Sequence, residues 1–229
     1  MIDEKSISVI IPVFREGKSI NRLLRHISSL PDSRNVEIIV VDGSAEQDTI
    51  KAIADRGIIK VKSPRGRGIQ LNAGCSIAAG EFLLFLHADT FLPRTAFRSI
   101  RETLSEDHIA AGAFTMRFSG AKTVLKALHY LNNGRAVITR IPYGDQAIFI
   151  KRSVLYKVGG IHEYMLFEDI DLMERLRRRK YKIKILTPKV ITSGRRFENE
   201  GILRGVLKII LLLVLYKAGV SPDKLSTIY

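Results

Sequence analysis

Glu81-Phe82-Leu83-Leu84-Phe85-Leu86-His87-Ala88-Asp89-Thr90 holds an apolar run, residues 82–86, that gives way at once to polar residues. With Gly80 before it, the run reads as a strand buried on both faces. Asp89 then stands just past the carboxyl end of that strand, where open α/β sheets bind their ligands. The plainer role for Asp89 is to cap a helix beginning near Pro93. The segments on either side bear on that choice.

Upstream, strands and helices alternate. Residues 6–13, Ser-Ile-Ser-Val-Ile-Ile-Pro-Val, form a β-branched run of the parallel, buried type, with Pro12 marking its end. Residues 19–30 follow as a helix, with Ile20, Leu23, Leu24 and Ile27 on one face. Residues 36–41 and 58–61 are further strands, and 46–55 and 69–79 further helices. This order predicts a mostly parallel sheet with right-handed crossovers. Two strand ends carry carboxylates, Asp42 and Asp89, and Glu16 lies close to a third. In a doubly wound sheet such loops converge on one crevice. Asp42 could meet a nucleobase or ribose there, although Asp42-Gly43-Ser44 also suits an ordinary turn. Ser63-Pro64-Arg65-Gly66-Arg67-Gly68 precedes a helix, so its amides and guanidinium groups could cradle phosphate, or the loop could simply be a solvated basic one.

Composition narrows the classes. The 229 residues suffice for one large domain with an appendage. Lys and Arg number 37 against 23 Asp and Glu, a net charge of +14, which points to a polyanionic partner. Nucleic acid is not expected, because Trp is absent and no basic-aromatic ribbon appears. The single cysteine, Cys75, excludes an internal disulfide and reads as a core residue. Asp3 and Glu4 lead directly into a strand. No signal peptide is therefore expected, and a cytoplasmic protein is the default.

Taken in order, four motifs resemble the inverting glycosyltransferases of family 2, which have the GT-A fold. They are Val9-Ile10-Ile11-Pro12-Val13-Phe14-Arg15-Glu16, Val40-Val41-Asp42-Gly43-Ser44, Arg67-Gly68-Ile69-Gln70-Leu71-Asn72-Ala73-Gly74 and Phe85-Leu86-His87-Ala88-Asp89. The resemblance spans roughly residues 6–200. It implies nucleotide-sugar contacts from Pro12, Phe14, Glu16, Asp42, Ser44, Arg65, Arg67, Asn72, His87, Ala88 and Asp89. The last motif matches the family's Asp-X-Asp, with His87 in place of the first aspartate. Asp89 is then the residue that contacts Mg²⁺ or Mn²⁺, and His87 a neutral ligand or a ribose contact.

The second half supplies the remaining parts. Helices are expected over residues 93–104 and 123–133, the latter broken by Asn132-Asn133-Gly134-Arg135, with a strand over 110–118 between them. Gly144, Asp145 and Gln146 form a polar corner before a strand, which the family would turn toward an acceptor. Glu168, Asp169 and Asp171 gather at a helix start, where negative charge is favoured. By the resemblance Asp169 is the general base and Glu168 its neighbour, with Asp171 the second choice. A helix over residues 173–179 that ends in a basic run, and a strand over 181–186, lead to Arg195 and Arg196, which the resemblance brings near the donor diphosphate. Residues 202–216 are almost wholly apolar, yet the unbroken run from Ile209 is far short of a membrane span.

These readings combine into an α/β protein of GT-A type, with a Rossmann-like central sheet over residues 1–200 and a helical extension over 201–229. The extension would pack on its own domain, on a second subunit or on the inner face of the cell membrane. The expected reaction is sugar transfer from a nucleoside diphosphate sugar, UDP- or GDP-linked, to a hydroxyl acceptor, lipid-linked or soluble. A sugar nucleotidyltransferase and a non-catalytic nucleotide-binding protein are the alternatives. The nucleotidyltransferase would carry a Gly-rich basic loop after the first strand, which Phe14-Arg15-Glu16-Gly17 matches poorly.

Overall fold

A computed structural model describes residues 6–120, 123–194 and 201–228. The framework is a seven-stranded sheet in the order β3-β2-β1-β4-β6-β5-β7. The strands are β1 (Ile7–Val13), β2 (Val36–Asp42), β3 (Ile59–Lys62), β4 (Phe82–Phe85), β5 (Ile109–Phe118), β6 (Phe149–Lys151) and β7 (Lys182–Thr192). β1 pairs in parallel with β2 and β4, and β5 with β7. Only β6 runs antiparallel, between β4 and β5.

Mostly apolar runs in β1, β2 and β4 bury both faces of the sheet's centre, whereas the edge strands β3 and β7 alternate with lysine. Ile7, Val9 and Ile11 pack on one side with α1 (Ile20–Ser28) and α4 (Ala96–Ser105). Ile10, Ile39 and Val41 pack on the other with α3 (Arg67–Ile77), α6 (Arg152–Lys157) and α7 (Glu168–Arg178). Cys75 sits in this second core, and burial pushes its thiol up to about 12. The remaining α-helices of the described residues are α2 (Asp48–Ala52), α5 (Thr123–Thr139), α8 (Ile202–Lys217) and α9 (Pro222–Ser226).

Several boundaries differ from the sequence expectation. α5 runs through Asn132-Asn133-Gly134 to Thr139 rather than breaking there. Its Asn133 is buried, with its amide bonded at 2.9 Å to both the N–H and the C=O of Met116 on β5. A residue that looks like a helix breaker is therefore a tertiary clamp. α7 begins at Glu168, five residues before Met173, so the acidic cluster lies inside its first turn. β7 continues past Leu186 to Thr192, with Pro188 taken up at an irregularity opposite Phe114 and Thr115. Pro is tolerated there because β7 is the sheet's edge strand.

Candidate active site

The carboxyl ends of β1, β2 and β4 point the same way, and the loop after β4 and the start of α3 meet the corner after α5 and the start of α7. Arg67, His87, Asp89, Tyr143, Gly144, Asp145 and Asp169 all line one cavity of about 270 Å³. Asp89 does not cap α4, whose N-cap is Thr95. Pro12 and Glu168 lie beneath that cavity, beside a smaller void shared with His87, Gly144 and Asp169.

Asp169 is held by geometry. The Gly144 N–H donates to its Oδ2 at 2.6 Å, and the Ile170 N–H to its Oδ1 at 2.8 Å. Each carboxylate oxygen has two lone pairs, so both retain capacity toward the cavity. A methyl group on Gly144 would come within 2.8 Å of His87 Nε2 and 3.3 Å of Asp169 Oδ2. Only a glycine lets the corner lie this close to β4 and α7.

Charge is concentrated here. The Arg67 guanidinium lies 3.5 Å from the Glu168 carboxylate, which is almost wholly buried. Arg67 is raised by that carboxylate, whereas Glu168 is itself raised, to about 7, because desolvation outweighs its pairing with Arg67. An arginine stays protonated in proteins, so the carboxylate is the member of this pair that titrates. Its Oε2 is buried without a hydrogen bond, as is Oδ1 of Asp145. Burial, with the Asp169 charge adding to it, raises Asp145 to about 6. Burial and the nearby Arg67 lower His87 to about 3, leaving its imidazole neutral near pH 7.

Other expected site residues stand apart from the cavity lining. Phe14 and Arg65 form a pair on the β1 side, the guanidinium 4.4 Å from the ring centroid. The Glu16 carboxylate accepts from Ser19 Oγ at the start of α1. Asn72 donates to Glu163, and Ala88 packs against the core below.

Two side chains depart from the expected direct contact. Asp42 is fully buried, and its oxygens accept from the Ser44 N–H and hydroxyl and from the N–H groups of Thr49 and Ile50. It builds the loop rather than facing the crevice. Gln146 is also fully buried. It donates to Phe114 O and accepts from the Tyr143 N–H, so it shapes the corner. Asp171, the second choice for base, is bound at 2.8 Å to Arg175 and at 3.0 Å to His162. Arg195 and Arg196 lie outside the described residues.

The sequence reading missed two groups. Tyr143 lines the cavity with the Arg135 guanidinium stacked 3.5 Å from its ring centroid. Its place directly before Gly144-Asp145 was the available signal. The second group is apolar: Phe118, Leu166, Phe167, Ile209 and Leu213. Ile209 and Leu213 come from α8, and nothing in so uniformly apolar a helix marks which face meets the cavity.

Comparisons with known proteins agree on a family. Residues 8–166 match the family model described as Glycosyl transferase family 2. The poly-beta-1,6-N-acetyl-D-glucosamine synthase of Staphylococcus aureus (strain COL) is 24% identical over 200 residues, covering 80% of this chain and 48% of that protein. The undecaprenyl-phosphate 4-deoxy-4-formamido-L-arabinose transferase of Aeromonas hydrophila is 26% identical over 125 residues, covering 50% of this chain and 38% of that one. The chain thus spans about half or less of these relatives' length. Among solved structures, the mannosyltransferase PcManGT of Pyrobaculum calidifontis, in complex with GDP-Man and Mn²⁺, superposes with a TM-score of 0.68 at 19% identity. The match covers 84% of this chain and 58% of that one, and it places the sheet in the GT-A class.

Proposed function

The chain belongs to glycosyl transferase family 2, and on that basis we propose that it moves a sugar from a nucleoside diphosphate sugar to an acceptor hydroxyl, with inversion. The observation that carries this reading is the meeting of Arg67, Asp89, Asp145 and Asp169 around one cavity at the carboxyl ends of the strands. The GDP-Man held by the solved mannosyltransferase supports a sugar nucleotide as donor.

In this reading Asp169 takes the acceptor hydroxyl's proton as the oxygen attacks the anomeric carbon. The bond from that carbon to the diphosphate oxygen breaks on the opposite face, and the nucleoside diphosphate leaves with the electron pair. Arg67, at the first turn of α3, offsets the charge that develops on the leaving group. Glu168 keeps that guanidinium in place and is a positioning residue. Asp145 stands on the acceptor side. Phe14 and Arg65 offer the nucleotide a flat cationic wall, and Asp42 supports that wall through its loop.

Mg²⁺ or Mn²⁺ fits this donor set. Among the described residues no group of three or more His, Cys, Asp or Glu could hold a metal alone. Such cations bind through one or two carboxylates completed by substrate phosphates, and Asp89 lies on the cavity as one such carboxylate. The ion would neutralise charge on the diphosphate.

Calorimetric titration with UDP- and GDP-sugars, with and without Mn²⁺, identifies the donor. Asp169→Asn should then bind it about as well as wild type. Its turnover, read as nucleoside diphosphate released in the presence of a membrane extract, should fall roughly 10²–10⁴-fold. Turnover close to wild type would remove Asp169 from proton transfer, and donor binding unchanged by excess chelator would remove the metal.

A further inference from the structure

The two sides of α8 face different surroundings. On its inner side Leu212 is buried with Leu166 and Leu225, and Tyr216 lies against Phe167, the residue just before Glu168 and Asp169. Ile209 and Leu213, one turn apart, reach the cavity that Asp169 lines. On the outer side Leu203, Leu207, Ile210, Leu211 and Val214 are 74%, 57%, 51%, 52% and 58% exposed. Their spacing of three and four residues makes them a single stripe. An aliphatic stripe of this length on a protein surface marks an interaction site.

We propose that this stripe seats the protein on an anionic lipid surface, with α8 lying in the plane of the interface. Charge selects that occupant over a second copy of the chain. α8 has no acidic residue and sets Arg204 and Lys208 beside the stripe, its third cation, Lys217, pairing with Glu174; the protein carries a net charge of +14. Arg204 and Lys208 share a shallow groove with Leu203, Leu207 and Leu211, so cation and hydrocarbon occupy the same face. Two copies meeting through it would bring like charges together, whereas an anionic bilayer satisfies both components at once. The helix lies on the membrane and does not cross it, since no helix of the described residues is long and apolar enough to span one. The inference rests on the glycosyltransferase reading only for its purpose. With Ile209 and Leu213 lining the cavity, docking would open the crevice beside the lipid, where an acceptor with an apolar tail could enter.

The test is co-sedimentation of the full chain with vesicles of equal parts phosphatidylglycerol and phosphatidylcholine, against phosphatidylcholine alone. Wild type should bind the anionic vesicles in preference, and added salt should weaken the binding. The double substitution Leu207→Glu with Leu211→Glu should weaken it about tenfold or more, with circular dichroism and donor binding unchanged. Leu207→Ser with Leu211→Ser, which adds no negative charge, should lower it in the same direction. Equal sedimentation of wild type and both variants would overturn the proposal, as would wild type that ignores anionic vesicles. A wild-type dimer that either variant splits, seen by sedimentation velocity, would assign the stripe to a second copy instead. Sedimentation requires no turnover. Failure here leaves the sugar-transfer reading standing, and failure of the Asp169→Asn test leaves the lipid surface standing.

Discussion

Asp42 and Asp169 are both aspartates at element ends, yet their surroundings give them opposite roles. Asp42 accepts four hydrogen bonds from its own loop and the first turn of α2, whereas Asp169 accepts two, from the Gly144 and Ile170 N–H groups, and still borders the cavity. Hydrogen bonds to a buried charged group contribute about 1.5–3 kcal/mol each, and the donors left behind carry their own desolvation cost. Asp42→Ala should therefore lower the unfolding free energy by about 2 kcal/mol or more, read from urea denaturation, and weaken donor binding through the disordered loop. A variant as stable as wild type would contradict this placement. The residue types at both positions were legible in the sequence, but the division of labour between them was not. Whether a carboxylate faces solvent or its own backbone depends on which N–H groups the following helix leaves unpaired, and α2 is shorter than the helix expected over residues 46–55.

At the scale of elements, β5 outruns its partner. β6 pairs with it only around Ala111 and Gly112, yet β5 continues to Phe118. The edge groups beyond that point are met by side-chain amides. Gln146 donates to Phe114 O, and Asn133 brackets Met116. These two amides replace the missing stretch of strand and fix α5 and the Tyr143–Gln146 corner relative to the sheet. Asn133→Leu, close in volume, leaves the Met116 N–H and C=O unpaired in a buried setting, at about 1–3 kcal/mol for each. The melting temperature should drop clearly, whereas Leu131→Ala, at a position 71% exposed on the same helix, should change it little. Equal losses from both would refute the clamp. The alternating strands and helices of the first half could be read directly because β1, β2 and β4 are mostly apolar and buried, and helical spacing separates them. The reversed β6, only three residues long, and the continuous α5 could not, since both depend on pairings between distant segments.

Across the molecule, the crevice is built from groups whose ionisation opposes folding. Glu168 is raised from its ordinary 4.5 to about 7, chiefly by desolvation. The folded state therefore binds more protons than the unfolded chain between these values. Stability from this group is full below about pH 4.5, declines as pH rises through the window, and is flat above about 7. Urea midpoints of wild type and Glu168→Gln should accordingly diverge between pH 4.5 and 7, the wild type falling relative to the variant. Parallel curves would mean that Glu168 titrates normally. Carboxylates perturbed in this way, by burial and a like-charged neighbour, gather at binding and catalytic sites.

The sheet order carries a consequence for synthesis on the ribosome. β1 to β4 come from the first 85 residues and sit side by side as β3-β2-β1-β4. This half can assemble while the rest of the chain is still being made, and its open flank is β4, an entirely apolar strand. That flank stays uncovered until β6 emerges more than 60 residues later. Long-range pairings of this kind form slowly and leave adhesive edges exposed in the meantime. The same β4 that carries Asp89 to the crevice is thus an adhesive edge of the nascent chain, and its brevity, at four residues, limits the hazard.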